Sequence, residues 1–337
     1  MNKQSRHIDE PPIDVVIAWV DGSDPGLAEK RNSYLGKSDS SKPGSGAHLT
    51  RFASINEIRY CVLSIMKFAP FVRNIYIITD EQDPDLYDDI RLYYPERIKS
   101  FRIVDHKEIF SGFEDSLPTF NSISIGNMIW RIKGLSDNFV YFNDDTFLIK
   151  ETEPGDWFRN GKPVMRGKWV PAPFPRILWN KIRLGIMKHL LRNHDFQPRA
   201  SFHLGQWNSA YLAGYRMKYF TNSHTPHPVE KKLIEDYFNT NRKVFEKNIA
   251  YRFRDRSQFT FIALSNHLQL LSGNRQVETP GVAYLQPYGR SKDYIEKKIR
   301  ICENDTTIKF LCVQSLDLCE KNQQDEIFNW MEKILGL

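Results

Sequence analysis

The chain has 337 residues, 41% hydrophobic and 13% aromatic, with a formal net charge of +6. That apolar content supplies a core for one large or two ordinary domains and excludes a wholly disordered or fibrous protein. No run approaches the ~18 apolar residues of a membrane span, and MNKQSRHIDEPP has no apolar core of a secretory signal, so a cytoplasmic protein is expected.

Residues 1–12 read as a loose tail, followed by a single catalytic domain over 13–337. Residues 13–20 (IDVVIAWV) are nearly continuous, apolar and β-branched, and stop at Asp21-Gly22, which predicts a buried parallel strand. Residues 36–48 (GKSDSSKPGSGAH) predict a mobile loop. Residues 54–68 have helical periodicity, with a capping-box pattern at Ser54 and Glu57 and an end marked by Pro70. Strands follow at 74–79, with Asp80 beyond, and at 98–104. A helix is predicted over 124–132 with Gly134 as C-cap. Residues 139–142 (FVYF) form a short buried strand that runs into Asn143-Asp144-Asp145. Strands alternating with helices predict a doubly wound α/β fold whose ligands bind beyond the carboxyl ends of the strands, where Asp21, Asp80 and Asp144 all fall.

Residues 156–220 break the pattern and read as an inserted lobe. From Arg159 to Lys218 there are twelve Lys or Arg and one acidic residue, Asp195. A solvated basic face and a surface for a polyanion or anionic membrane are equally good accounts. Residues 177–192 predict a helix without one clean apolar stripe, so a membrane-surface helix and a helix packed on two sides both fit. Helices are also expected over 229–247, 255–271 and 322–335. Cys61, Cys302, Cys312 and Cys319 form no CxxC pair and no Cys/His metal spacing. Cys61 reads as a reduced core thiol, and no disulfide framework is expected.

Four clusters could carry chemistry, and each has a bland alternative. Asp144-Asp145 at a strand end would need a counter-ion if buried, and Mg²⁺ or Mn²⁺ beside phosphates would supply it; a solvated turn is the alternative. Trp19 through Pro25 (WVDGSDP) offers a second strand-end loop, with Asp24 suited to ribose or metal, or an ordinary Asp-Gly turn. His224-Thr225-Pro226-His227 places two imidazoles in a stiff loop, as base, metal ligands or surface residues. The cluster Arg252, Arg254 and Arg256 suits phosphate oxygens or a solvated patch.

Together these residues resemble the Stealth family of sugar-1-phosphate transferases of bacterial capsule synthesis, related to the catalytic part of N-acetylglucosamine-1-phosphotransferase. Four blocks have counterparts in order. The first is IDVVIAWVDGSDP at 13–25. The second runs from Arg51-Phe52 through NEIRYCVLSI, APFVRNIYIIT, LPTFNS and GLS to FNDD at 142–145. The third is HTPH at 224–227 with Arg252 and Gln258-Phe259. The fourth is KFLC at 309–312 with Asp317. The chain departs from the family at Gly126 (usually Glu), Trp130 (usually His) and Gln314-Ser315 (usually Asn-Asp).

The resemblance implies a Rossmann-like, GT-A-like fold and a UDP-sugar donor. The acceptor would be an oligosaccharide, a polysaccharide or a lipid-linked sugar. An acceptor hydroxyl attacks the phosphorus attached to the donor sugar, and UMP leaves. It assigns Asp144 and Asp145 to Mg²⁺ or Mn²⁺, His224 to general base with His227 as the weaker candidate, and Arg252 to the transferred phosphate. Asp14, Trp19, Asp21, Gly22 and Asp24 would line the nucleotide pocket, with Arg51, Arg59 and Asn121 in support. Two rivals remain: a glycosyltransferase that releases UDP, and a non-catalytic polyanion-binding module. Peripheral contact with an anionic membrane at the inner face of the cell is compatible with the basic lobe, and nucleic acid is not an expected partner.

Overall fold

The computed structural model describes residues 11–35, 55–193, 201–291 and 293–337. The first half runs β1 (Ile13–Ala18), α1 (Pro25–Tyr34), α2 (Glu57–Phe68), β2 (Ile75–Thr79), α3 (Tyr87–Tyr93), β3 (Phe101–Asp105), α4 (His106–Ile109), α5 (Ser122–Gly126), β4 (Asn138–Asn143) and β5 (Thr146–Leu148). Next come α6 (Pro154–Trp157), β6 (Phe158–Arg159), β7 (Lys162–Pro163), β8 (Met165–Pro171), α7 (Phe174–Gly185), α8 (Phe202–Leu212), β9 (Lys218–Asn222) and β10 (His227–Glu230). The chain closes with α9 (Lys231–Thr240), α10 (Arg242–Ile249), α11 (Phe261–Leu271), β11 (Val277–Glu278), β12 (Val282–Leu285), α12 (Tyr294–Asn304), β13 (Phe310–Val313) and α13 (Lys321–Leu335).

The central sheet has the order β10-β4-β1-β2-β3. Strands β4, β1, β2 and β3 are mutually parallel, and β10 joins the edge antiparallel to β4. This is the Rossmann-like α/β arrangement expected, with the strand order reversing between β1 and β4. The apolar runs follow from a sheet covered on both faces. Val15 and Ile17 of β1, Ile75 and Ile77 of β2, and Val140 and Phe142 of β4 join one core with α2 and α13. Their neighbours Val16, Tyr76, Ile78, Phe139 and Tyr141 join the other, with residues of α9, α10 and α11.

Several boundaries move for identifiable reasons. Residues 95–100 form a 3₁₀ turn opened by Pro95, so β3 starts at Phe101. The helix expected over 124–132 splits into α5 and a 3₁₀ turn at Ile129–Arg131, where the Asn127 side chain takes the Ile123 carbonyl (2.8 Å). Helix α2 starts at Glu57 behind Asn56 at φ 76°, and the Glu57 carboxylate accepts the Ile55 N–H (2.6 Å). Ser54, the loop at 36–48 and residues 1–10 lie outside the described residues. Helix α9 cannot begin at 229 because residues 227–230 pair with β4. All four cysteines are free, and Cys61 is fully buried.

Residues 156–220 build a separate layer. Strand β8 pairs antiparallel with β9 and parallel with β11. At Gly167 a Cβ would stand 2.2 Å from the Thr221 carbonyl, so only glycine admits this approach. Part of the basic excess is neutralised from outside the segment: Arg166 and Arg159 meet Glu278, and Lys162 meets Glu230 (3.1 Å).

Candidate active site

Strands β1 and β4 pair so that Ala18 faces Asn143, and the chain leaves the sheet at this level into Trp19 and Asp144. This is the switch point, where diverging loops open a crevice in doubly wound sheets. Two adjoining chambers of about 300 and 320 Å³ lie there, within the size range of small-molecule sites. The first takes its walls from Trp19, Ile78, Asp80, His106, Phe120, Asp144 and Asp145. Phe202, Gly205, Asn222, His227, Gln258 and Phe261 contribute to the second. Ser122, Tyr141, Asn143, His224 and Arg254 line both, so they form the boundary between the chambers.

Asp144 and Asp145 occupy the turn between β4 and β5 on the floor of the first chamber. Burial, then Asp145 and Glu57, push the Asp144 carboxyl up to about 8; burial is also the leading cause that raises Asp145 to about 6. Glu57, at the start of α2, is itself raised by burial. Residues 310–313 close the floor. Strand β13 pairs with β5, and the buried Cys312 thiol points at Asp145 Oδ2 (3.9 Å). Among the described residues no group of three or more His, Cys, Asp or Glu is gathered to hold a metal by itself. The chain offers two adjacent carboxylates whose charged forms are disfavoured by burial and by neighbouring carboxylates, with the Thr146 hydroxyl acting in the opposite direction on Asp145. That donor set suits Mg²⁺ or Mn²⁺ held jointly with phosphates and water.

His224 lies at the shared boundary. Its ring stacks on Phe202 (centroids 5.0 Å, 17° between planes) and meets Tyr284 edge-on. Its backbone N–H donates to the Tyr284 hydroxyl (3.1 Å). Burial lowers its pKa, which keeps the imidazole neutral at pH 7. His227 is not in a loop: it opens β10 opposite Tyr141 and is buried, which drives its pKa down to about 3. It still lines the second chamber, as a neutral wall residue.

Arg252 and Arg254 are placed differently. Arg252 lies outside the lining of both chambers and donates to the carbonyls of Leu117 (3.2 Å), Pro118 (3.4 Å) and Asp115 (3.3 Å), with its guanidinium over Tyr34. Arg254 reaches both chambers, its Nη2 held by Ser122 Oγ (2.5 Å). Asn121 and Gln258 fix the loop that carries it. Asn121 donates to the Tyr251 carbonyl (3.0 Å) and Gln258 Oε1 (2.9 Å), and Gln258 Oε1 accepts the Asp255 N–H (2.9 Å). Asn121 thus lies behind the chambers, in the bonding that holds the Arg254 loop.

Other expected pocket residues do structural work elsewhere. Asp14 sits at the N-terminal end of β1, away from the cleft. Its buried carboxylate takes two bonds from Arg73 and the N–H groups of Asn74 and Ser136. Arg59 makes a two-point pair with Asp89 (2.8 Å for each bond). Asp24 caps α1 through the Gly26 N–H (2.8 Å) and accepts from Gln82, which lowers its pKa. Asp21 accepts from Ser23 within the same turn as Gly22, and neither lines a chamber. Trp19 does line the first chamber. Arg51 lies outside the described residues.

The structure also adds residues that sequence reasoning missed. His106, buried at the end of β3, lines the first chamber with its Nδ1 4.0 Å from Asp80. Burial, acting against Asp80, lowers its pKa to about 4. Phe202 belongs to the inserted layer and has no motif around it. At Gly126 a Cβ would stand 3.1 Å from the Phe261 ring, so a larger residue there and the present Phe261 compete for one space.

A mostly parallel sheet that gathers carboxylates, an imidazole and a guanidinium at its switch point, beside two chambers of small-molecule size, has the architecture of an α/β enzyme. Comparison with known proteins identifies which. Residues 11–39 match conserved region 1 of the Stealth proteins, and residues 51–165 match conserved region 2. The chain is 32% identical to the exopolysaccharide phosphotransferase cps2G of Lactiplantibacillus plantarum over 88% of each chain. It is 30% identical to the capsular polysaccharide phosphotransferase WcwK of Streptococcus pneumoniae, over 81% of this chain and 82% of that one. The galactosyltransferase LgtC has a similar course at TM-score 0.42 and 9% identity, over 96% of this chain and 95% of LgtC. The chain belongs to the Stealth family and is a transferase. Among the described residues no helix is long and apolar enough to cross a membrane.

Proposed function

We propose that the protein transfers a sugar-1-phosphate from a UDP-sugar to a hydroxyl of a capsular or exopolysaccharide acceptor and releases UMP. The observation that carries this reading is the shared boundary of the two chambers. A neutral imidazole and a guanidinium lie between an acidic floor on one side and a polar, aromatic chamber on the other. In the proposed complex the nucleotide occupies the first chamber, with Trp19 and Phe120 offering flat apolar surfaces to the base. The acceptor sugar enters the second, where Asn222 Oδ1 is a buried acceptor without a protein partner.

The reaction then needs three things from this chain. Asp144 and Asp145 hold Mg²⁺ or Mn²⁺, which when bound offsets charge on the diphosphate. Arg254 binds the transferred phosphoryl oxygens and fixes their position relative to His224. His224 accepts the proton of the acceptor hydroxyl as its oxygen bonds to the phosphorus that carries the donor sugar. The bond from that phosphorus to the bridging oxygen breaks, and UMP departs with the electron pair. The anomeric carbon–oxygen bond stays intact, so the donor keeps its configuration.

The acidic pair would serve a glycosyltransferase equally well, and the products separate the two. Incubation with a UDP-sugar, Mg²⁺ and an oligosaccharide acceptor, followed by identification of the nucleotide, is the test. UMP supports phosphoryl transfer, and UDP overturns it in favour of glycosyl transfer. A polyanion-binding module would release neither, and its binding would be indifferent to Asp144 and Asp145.

A further inference from the structure

Helix α7 leaves an apolar face uncovered. Phe174, Leu178, Trp179, Ile182 and, in the π-helical turn Ile186–Leu190 that extends it, Ile186 and Leu190 are 43–76% exposed. The four-residue spacing of Phe174, Leu178, Ile182, Ile186 and Leu190 places them along one side of the helix. The opposite side is the anchored one. Ile177 packs with Ala172, Trp207, Ala210 and Tyr219, while Leu184 and Met187 are half-buried. The segment is thus apolar on two sides, one for the protein and one for something else.

Charge narrows what that something is. Arg176, Lys181, Arg183 and Lys188 lie on α7 and its extension, Arg192 follows just beyond, and no acidic residue occurs from 157 to 194. On a helical projection Arg176 and Arg183 flank one edge of the exposed stripe, and Lys181 and Lys188 the other. A second copy of α7 would bring like charges together with no carboxylate to meet them. A protein partner would need an acidic groove to take a convex helix. An anionic lipid surface satisfies both features at once: it takes a convex apolar stripe to acyl depth and draws the flanking cations to its headgroups.

We propose that α7 is an in-plane membrane anchor that docks the enzyme on an anionic bilayer. At 1.5 Å per residue the 17 residues from Phe174 to Leu190 lie flat over about 25 Å. Helix α8 links this anchor to the cleft. Its Trp207 meets Phe174 edge-on (5.8 Å), and its Phe202 and Gly205 line the second chamber. The acceptor chamber therefore stands one helix away from the bilayer, within reach of an acceptor carried on a lipid. The anchoring is independent of the reaction assigned to the cleft.

The test is co-sedimentation of the full chain with vesicles of phosphatidylglycerol and phosphatidylcholine (1:1) or of phosphatidylcholine alone, at low and high salt. Wild type should sediment with the anionic vesicles and much less with neutral ones, and high salt should weaken it. The double variant Leu178→Glu/Ile182→Glu should lose binding while turnover on soluble substrates is kept. The triple variant Arg176→Gln/Lys181→Gln/Lys188→Gln, which retains the apolar stripe, should partition about a hundredfold more weakly, about fivefold per cation. It carries the test if the double variant fails to fold by circular dichroism. Three results would overturn the proposal: no binding to anionic vesicles, binding unchanged in a folded variant, or a dimer that Leu178→Glu/Ile182→Glu dissociates without any vesicle binding.

Discussion

Replacing Asp144 by Asn should stabilise the metal-free protein and abolish its activity. The folded-state pKa of about 8 lies above the ordinary 3.8, so between these values the folded chain holds a proton that the unfolded chain has released. Stability therefore falls as pH rises through that window. At pH 7 the difference corresponds to about 4 kcal/mol. Asp144 is half-buried, and water in the chamber reduces this to about 2 kcal/mol. Urea denaturation of chelator-treated protein at pH 5 and pH 8 measures it. Asp144→Asn should gain about 2 kcal/mol over wild type at pH 8 and about 0.8 kcal/mol at pH 5, where only the first part of the window above 3.8 has been crossed. Mg²⁺ or Mn²⁺ at 100 times its Kd should add about 2.7 kcal/mol to wild type and little to the variant. Turnover should fall by about 10²-fold or more. A metal-free Asp144→Asn protein less stable than wild type at pH 8 would refute the reasoning, because the carboxylate would then be a satisfied group and not a held charge.

The two arginines should separate cleanly. Arg254→Gln should lower kcat/KM by ~10²-fold or more with a near-normal melting temperature, whereas Arg252→Ala should cost about 2–3 kcal/mol of stability and leave the kinetics of folded enzyme nearly intact; steady-state kinetics paired with thermal melts reads both. His224→Ala should slow turnover by ~10²–10⁴-fold without unfolding the chain, and the wild-type acid limb of kcat/KM should fall below pH 6.5, because burial depresses the base and activity is lost as pH drops through its pKa. His267 is buried between the Ala263 carbonyl, to which Nδ1 donates (2.5 Å), and the Phe220 N–H, which donates to Nε2 (2.9 Å). Burial lowers its pKa to about 4 from 6.5. It therefore contributes stability that is complete above pH 6.5 and is lost towards pH 4, about 3 kcal/mol in all, and His267→Gln should flatten the denaturation free energy over that range.

The sheet was legible because burial on both faces writes itself as uninterrupted Ile, Val and Phe, and no other short element does so. Its switch-point acids were legible for the same reason: Asp144 follows FVYF without a break. What failed was the assignment of individual polar residues that share a block with the site. Asp14 stands in the same strand as Ala18, but a strand is about 3.3 Å per residue, so four positions move a carboxylate from the cleft to the far end of the sheet. Arg252 and Arg254 lie two residues apart in a bent, irregular segment, where one meets the 115–118 carbonyls and the other meets Ser122 at the cleft, a difference that no motif spacing encodes. His106 and Phe202 had no signal, since each reaches the cleft through tertiary placement alone. For α7, the pattern fitted both a surface helix and a helix packed on two sides, and the structure shows apolar residues on two sides with one of them exposed.

Within the proposed function, the choice of Arg254 over Arg252 has a physical logic. A guanidinium that binds a transferred phosphoryl group must be held in place before the substrate arrives, since its fixed orientation is what it contributes to the transition state. Arg254 has one short bond to Ser122, the first residue of α5, and Ser122 itself lines both chambers. The loop behind it is tied to α5 by Asn121, Ser124 and Gln258, and to the 115–118 segment by Arg252. Arg252 thus braces the loop from outside the cleft, so its loss is felt in stability, while the Ser122 bond keeps Arg254 in place in the folded enzyme. His224, Arg252 and Gln258 divide the work between them. One faces the boundary of the chambers, and the other two hold the residue that faces it beside the first.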